Sequence, residues 1–108
     1  MQRGEVWWVE FDPAVGVEVR KTRPAVIVSN DAANRNLRRV VVVPMTSSTG
    51  RQYASEAVVT VGGQKSKAMT DQIMAADKSR LKTRLGTLSK TDMRAVEDAL
   101  KIHLALRR

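Results

Sequence analysis

Arg23 stands directly before Pro24, at the entrance to the apolar run "PAVIVS" of residues 24–29. Proline fixes its own φ and pushes the preceding residue into an extended conformation, so the backbone of Arg23 is largely predetermined. A guanidinium is a planar, permanently charged fork that can bond two oxygens of one phosphate group. Held in place, it can stabilise the extra negative charge of a pentacoordinate phosphorane. The alternative role for Arg23 is one half of a surface ion pair.

A cluster of hydroxyl side chains begins at Thr46, directly after the second β-branched run "RVVVVPM" of residues 39–45. Ser47, Ser48 and Thr49 complete this cluster. A threonine hydroxyl can donate one hydrogen bond to a phosphate oxygen, but it can equally cap a turn. Thr46 directly follows one predicted strand, and Arg23 directly precedes another.

The net charge of +8 favours a polyanionic partner, although basic surfaces also serve solubility. Between positions 20 and 39 the chain has one acidic residue, Asp31. The same segment has six basic residues: Arg20, Lys21, Arg23, Arg35, Arg38 and Arg39. This segment predicts either a phosphate-facing surface or a solvated rim.

Several classes of function are disfavoured by composition. The absence of cysteine excludes disulfides and thiol catalysis, and the single histidine, His103, leaves little for a zinc site. We therefore expect no metal and no cofactor. No apolar run approaches the ~20 residues that span a bilayer, and the start of the chain lacks a secretory signal pattern. The expected location is the cytoplasm, without membrane association.

The elements that must position Arg23 and Thr46 are short strands in a chain long enough for one domain, residues 1–108. Alternation and β-branched runs predict strands over these segments: 5–11, 24–29, 39–45, "SEAVVTV" and "KAMTDQIM" on either side of Gly62 and Gly63, and a short closing strand at 85–88. Residues 30–36 are expected to form a turn or a single helical turn. Such an order predicts a mainly β protein with a strongly bent sheet or partly closed barrel.

A helix is predicted from Ser89 to about Leu106. "SKTD" is a capping signature with Ser89 as N-cap and Asp92 three residues later. Two apolar stripes follow at helical spacing, one of them Met93, Val96, Leu100 and Leu104, the other Ala95, Ala99, Ile102 and Leu106. One stripe can cover the sheet, and the second either meets another subunit or seats the helix deeply in a monomer.

Four segments in order resemble the MazF/PemK (Kid) family of toxin endoribonucleases: "RGEVWWVEFDPAVGVE", "RPAVIVSND", "VVVVPMTSS", and "DQIMAADKSRL" followed by "LGTLSKTDMRAVEDALKIHLAL". The resemblance implies an SH3-like small barrel of the CcdB/PemK type and a homodimer. It also implies metal-independent cleavage of single-stranded RNA at a short sequence, and inhibition by a cognate MazE-like antitoxin.

Residue by residue, the resemblance places the catalytic arginine on Arg23, the catalytic threonine on Thr46 and an acidic active-site position on Glu18. We expect RNA contacts from Arg20, Lys21, Asn36, Ser47 and Tyr53. Tyr53 is the candidate for base stacking. Glu18 is a candidate for the base that takes the 2′-hydroxyl proton, and its alternative role is an ion pair with Arg20 or Lys21. The chain departs from the family pattern at Val17, Thr22 and residues 53–56, so the cut sequence cannot be transferred.

Two alternatives come from other classes of function. A non-catalytic poison of a topoisomerase, as in the CcdB toxins, shares the barrel, but the segments "RPAV" and "PMTSS" argue against it. An RNA-binding module without activity fits the charge and leaves Arg23 without a role.

Overall fold

The structure is a computed structural model that describes residues 1–11 and 21–107, with the backbone alone for Lys21. Seven strands lie in these two ranges: β1 (Glu5–Phe11), β2 (Lys21–Ile27), β3 (Arg39–Thr46), β4 (Glu56–Val61), β5 (Gln64–Met69), β6 (Met74–Asp77) and β7 (Leu81–Thr87). Two helices accompany them, α1 (Asp31–Asn36) and α2 (Lys90–His103), with 3₁₀ turns at Thr70–Gln72 and Lys78–Arg80. The predicted mainly β class with a C-terminal helix is confirmed.

All strand pairs are antiparallel, in the order β4-β5-β3-β2-β1-β7, and β6 pairs with β3 in addition. The first half of β3 pairs with β6, whereas its last two residues, Met45 and Thr46, pair with β5. One strand therefore changes partner along its length, and β5 replaces β6 beside Thr46.

β2 and β3 are buried on both faces, which explains their continuous apolar sequences. Val26 and Val43 belong to one core cluster, which lies between the sheet and α2. Ala25, Ile27 and Val42 belong to a second cluster on the other face, against which the Trp7 and Phe11 side chains pack. The predicted central, buried position of the 24–29 run is confirmed, with β2 between β1 and β3.

The start of α2 follows the predicted cap, because the Ser89 side chain accepts a hydrogen bond from the Asp92 N–H at 3.1 Å. The Asp92 carboxylate does not reach back along the helix. It accepts instead from the Thr60 N–H of β4 at 2.9 Å, joining helix to sheet. The helix ends at His103, three residues earlier than predicted, and Leu106 lies exposed beyond it.

The predicted strand "KAMTDQIM" is wrong in its second half. β5 ends at Met69, a 3₁₀ turn follows, and β6 begins at Met74. Thr70 is fully buried, and its N–H and hydroxyl both donate to the Ser55 carbonyl, so the chain turns away from β4 at this point. The closing strand was also predicted too short, since β7 begins at Leu81.

Candidate active site

β2 and β3 bring Arg23 and Thr46 to the same side of the sheet. The two strands pair antiparallel with Ala25 opposite Pro44 and Ile27 opposite Val42. This pairing ends at Ala25 and Pro44, so Arg23 near the start of β2 and Thr46 at the end of β3 lie two residues beyond it, at the same end of the two strands. Since side chains alternate along a strand, Arg23 is on the face of Ala25 and Ile27, and Thr46 is on the face of Val42, which all belong to one core cluster.

The Arg23 side chain is half-buried and lies opposite Val9 of β1. Its guanidinium has no hydrogen bond or ion pair with another side chain in the part of the chain that the structure describes. The alternative of a surface ion pair is therefore not realised there. Since no carboxylate within 1–11 and 21–107 is bonded to Arg23, none of these competes with a ligand for its fork.

Thr46 lies at the end of β3, where its hydroxyl oxygen accepts a hydrogen bond from the Ser48 N–H at 3.2 Å. The turn-capping alternative is thus present. It does not exclude a second role, because accepting from Ser48 uses a lone pair and leaves the hydroxyl proton free for donation. The hydroxyl proton can still rotate toward a ligand.

A lysine missed by the sequence interpretation lies on the other side of Thr46. Lys67 of β5 is the direct partner of Thr46 in the sheet. Its ammonium lies 3.4 Å from a carboxylate oxygen of Glu56 and donates to the Arg51 carbonyl at 2.7 Å. Both side chains of this pair are only 11% exposed. No local pattern identifies the pair, because the register of β5 against β3 and β4 brings its members together.

Tyr53 lies in the loop that leads from Thr46 to β4, and its side chain is 55% exposed. The Arg51 guanidinium lies over the ring, 5.2 Å from its centre. The Tyr53 N–H donates to the Glu56 carboxylate at 2.8 Å. The predicted stacking residue is therefore exposed and anchored at its backbone.

Ser47 is exposed and lines a cleft of ≈ 360 Å³ on the opposite face of the sheet end. The other lining residues are mostly apolar: Val6, Trp8, Pro24, Met45, Val61, Gly62, Gln64, Ser66 and Leu85. Because successive side chains of an extended chain point to opposite faces, Ser47 and Thr46 diverge. The hydroxyl cluster is split between two surfaces.

The predicted basic surface between positions 20 and 39 does not form one patch. Arg35 and Asn36 lie on α1, and Arg38 and Arg39 follow it, at the opposite end of β3 from Thr46. At about 3.3 Å per strand residue the two ends of β3 are roughly 20 Å apart. The Asn36 side-chain amide also donates to the Ala32 carbonyl within α1. Asn36 is thus remote from Arg23 and Thr46.

Arg38, at the end of β3 that is distant from Thr46, lies close to the acidic residue Asp77. Hydrogen bonds from the Ser79 hydroxyl and N–H lower the pKa of the Asp77 carboxyl, and the charges of Arg38 and Arg80 lower it further. Asp77 therefore stays ionised at neutral pH and offsets part of this positive charge.

Glu18 and Arg20 lie outside the described residues, and for Lys21 only the backbone, opposite Phe11, is described. Within 1–11 and 21–107, no group of three His, Cys, Asp or Glu side chains is placed to hold a metal ion. No helix of these same ranges is long and apolar enough to cross a membrane.

The chain is similar to known proteins over nearly its whole length. A family model described as "PemK-like, MazF-like toxin of type II toxin-antitoxin system" matches residues 2–104. The "Endoribonuclease MazF9" of Mycobacterium tuberculosis is 39% identical, with 98% of each chain covered.

Solved structures show the same likeness. An "Endoribonuclease from Mycobacterial species" superimposes with a TM-score of 0.83 at 26% identity, covering 100% of this chain and 94% of the other. A mycobacterial "Endoribonuclease in complex with its cognate antitoxin" gives a TM-score of 0.82 at 27% identity, covering 100% and 98%. The predicted small-barrel fold is confirmed.

Proposed function

Since the chain belongs to the PemK-like, MazF-like toxin family of type II toxin-antitoxin systems, we propose that residues 1–108 form one toxin domain that cleaves single-stranded RNA. The predicted family and the predicted class of endoribonuclease toxin are confirmed by the family model and by relatives named as endoribonucleases. The substrate form, the mechanism and the site residues are the content of the proposal.

The observation that carries the proposed mechanism is the placement of Arg23 and Thr46 on adjacent strands, with the Arg23 guanidinium unpaired among the described residues. Arg23 binds two non-bridging oxygens of the scissile phosphate, and Thr46 donates a hydrogen bond to one of them. Both contacts strengthen as negative charge grows on those oxygens, so they stabilise the transition state more than the bound substrate.

The nucleophile is the 2′-hydroxyl of the nucleotide before the cut, which is already tethered next to phosphorus. Its oxygen forms a bond to phosphorus, its proton passes to a base, and the bond from phosphorus to the 5′-oxygen breaks. The leaving 5′-oxygen takes up a proton. The products carry a 2′,3′-cyclic phosphate and a 5′-hydroxyl, and the steps need no metal ion.

Glu18 remains our candidate for the base. Glu56, the carboxylate nearest in sequence to the Thr46 loop, is already bonded to Lys67 and to the Tyr53 N–H, which gives it a structural role instead. Arginine itself is a poor base at neutral pH. Arg20, Lys21, Ser47 and Tyr53 remain candidates for RNA contact, and Asn36 is the least supported of the set because of its distance from Thr46.

The function is tested by incubating the purified protein with a mixed pool of RNA and sequencing the new ends. Ends that share one short sequence are expected. If the protein binds RNA but produces no new ends, the result supports the RNA-binding module. If it neither binds nor cleaves RNA and instead inhibits a topoisomerase, the result supports the CcdB-like alternative. Arg23→Ala, purified in the same way, controls for contaminating ribonucleases.

We further propose an acidic, MazE-like antitoxin as partner, which orders on the basic surface and competes with RNA. The mycobacterial structure solved with its cognate antitoxin supports such a partner. The expected result is that added antitoxin protects a cleavable RNA in proportion to its occupancy. An antitoxin that binds fully while cleavage continues contradicts direct competition.

Because its substrate and this partner are made in the cytoplasm, we place the protein there.

A homodimer is the last part of the proposal. Ile102 in the last turn of α2 is 58% exposed, and Leu104 and Leu106 just beyond the helix are 45% and 56% exposed, which leaves an apolar surface uncovered in one chain. Light scattering at micromolar concentration should therefore give the mass of two chains. Ile102→Glu should shift the equilibrium toward monomer, whereas Thr91→Glu at the exposed start of the same helix should not. A monomeric wild-type protein contradicts the proposal.

A further inference from the structure

The ion pair between Lys67 and Glu56 joins three pieces of chain beside Thr46. Lys67 belongs to β5 and Glu56 begins β4. The Lys67 ammonium donates to the Arg51 carbonyl, and the Glu56 carboxylate accepts from the Tyr53 N–H. The Gln52 amide adds a bond to the Glu56 carbonyl at 3.1 Å. Each residue of the segment 51–53 is thus bonded to Lys67 or to Glu56, either to the side chain or to the Glu56 carbonyl.

The pair has the properties of a positioning device. Its two side chains are each only 11% exposed, whereas the loop residues that they bond are exposed, so the pair ties a surface loop to the sheet. Lys67 has its charge balanced by Glu56, which makes it a weak candidate for holding a phosphate. Lys65, two residues earlier on the same face of β5, is exposed and has no such partner among the described residues.

What the pair positions is an aromatic surface. The Arg51 guanidinium lies over the Tyr53 ring at 5.2 Å, and Tyr53 is still 55% exposed, so much of this residue remains accessible to a ligand. Stacking on tyrosine is available to every base and gains from a nearby guanidinium. A ring whose backbone is already fixed loses less conformational freedom when a base stacks on it.

From these contacts we infer that the Lys67–Glu56 pair holds Tyr53 as a stacking platform for one unpaired base of the RNA, next to the phosphate bound by Arg23 and Thr46. Lys67 is the sheet partner of Thr46, so the residue that fixes the Tyr53 loop lies beside the residue proposed to contact the phosphate. The inference rests on the proposed cleavage of RNA. Lys67 is a positioning residue and does not touch the reacting atoms.

The test uses the full-length protein and an RNA oligonucleotide with one cut site. Lys67→Met keeps the length of the side chain and releases the Arg51 carbonyl. We expect KM to rise about tenfold, the scale of one lost base stack, while kcat stays within about twofold. Lys65→Met removes the same charge from the same face and should leave both constants within about twofold.

Three further measurements separate positioning from other roles. Tyr53→Ala should raise KM as much as Lys67→Met, and the double variant should raise it no further, because both changes remove one stack. The salt dependence of affinity should be the same in Lys67→Met and wild type, since Lys67 is already neutralised. Tyr53 is exposed in a loop, so its variant tests the platform even if Lys67→Met fails to fold.

The inference is overturned if Lys67→Met matches Lys65→Met in KM. It is equally overturned if the Tyr53 and Lys67 effects add, or if Lys67→Met lowers the salt slope by about one as a lost phosphate contact would. A wild-type protein that cuts no RNA refutes the proposed function itself. The platform is then judged separately, from binding of an oligonucleotide with a 2′-deoxy cut position, which Tyr53→Ala should weaken about tenfold.

Discussion

Arg23→Lys is expected to lower the turnover number by ~100-fold or more while RNA binding and folding persist. Lysine keeps the positive charge but loses the planar fork that bonds two oxygens at once. The loss is on the scale measured when one preorganised donor to a developing oxyanion is removed. Single-turnover cleavage of an oligonucleotide with one site measures the change directly, and circular dichroism checks the fold.

The matched control is Arg39→Lys, the same exchange at an exposed position at the other end of β3. It should cleave at the wild-type rate. Thr46→Val should be impaired less than Arg23→Lys, because a neutral donor contributes one hydrogen bond where the guanidinium contributes two charged ones. If Arg23→Lys cleaved at the wild-type rate, the proposed role of Arg23 in the chemical step would be wrong.

Complete loss of cleavage is expected when the single ribonucleotide before the cut is replaced by its 2′-deoxy form. Without the 2′-hydroxyl there is no tethered nucleophile, although every phosphate contact of the protein remains available. The modified oligonucleotide should therefore bind with unchanged affinity and inhibit cleavage of the normal one. A 2′-deoxy replacement two nucleotides away is the control and should be cut.

The same reaction should continue in excess EDTA. Mass spectrometry of the products should find a 2′,3′-cyclic phosphate on one fragment and a hydroxyl on the 5′ end of the other. Cleavage of the 2′-deoxy substrate, or activity that EDTA abolishes and added magnesium restores, would contradict attack by the 2′-hydroxyl without metal.

The two strands that carry Arg23 and Thr46 could be predicted from sequence because their signal is local. Continuous β-branched runs, bounded by prolines and polar turns, specify buried strands whatever surrounds them. The Ser89 cap is equally local, since the donor and acceptor lie three residues apart. The existence and type of these two strands and of the helix α2 followed from such signals.

The Lys67–Glu56 pair and the split of the basic segment depend on long-range geometry and could not be predicted. In sequence, Arg23 and Arg39 belong to one cluster of charge, but β2 and β3 run in opposite directions and carry them to opposite ends. Lys67 and Glu56 look like ordinary exposed charges of two strands. Only the pairing of β5 with both β3 and β4 places them beside Thr46.

The bond between Asp92 and the Thr60 N–H also bears on how this protein avoids aggregation. β4 and β7 are the outermost strands of the described sheet, and an outer strand offers unpaired N–H groups to any other chain. Asp92 occupies one such donor of β4 with a carboxylate, and α2 packs along the same strand. β7 carries the exposed cations Lys82 and Arg84 instead. The end of the sheet at β4 is thus covered and the end at β7 is charged, and both features disfavour strand-to-strand pairing between copies of the chain.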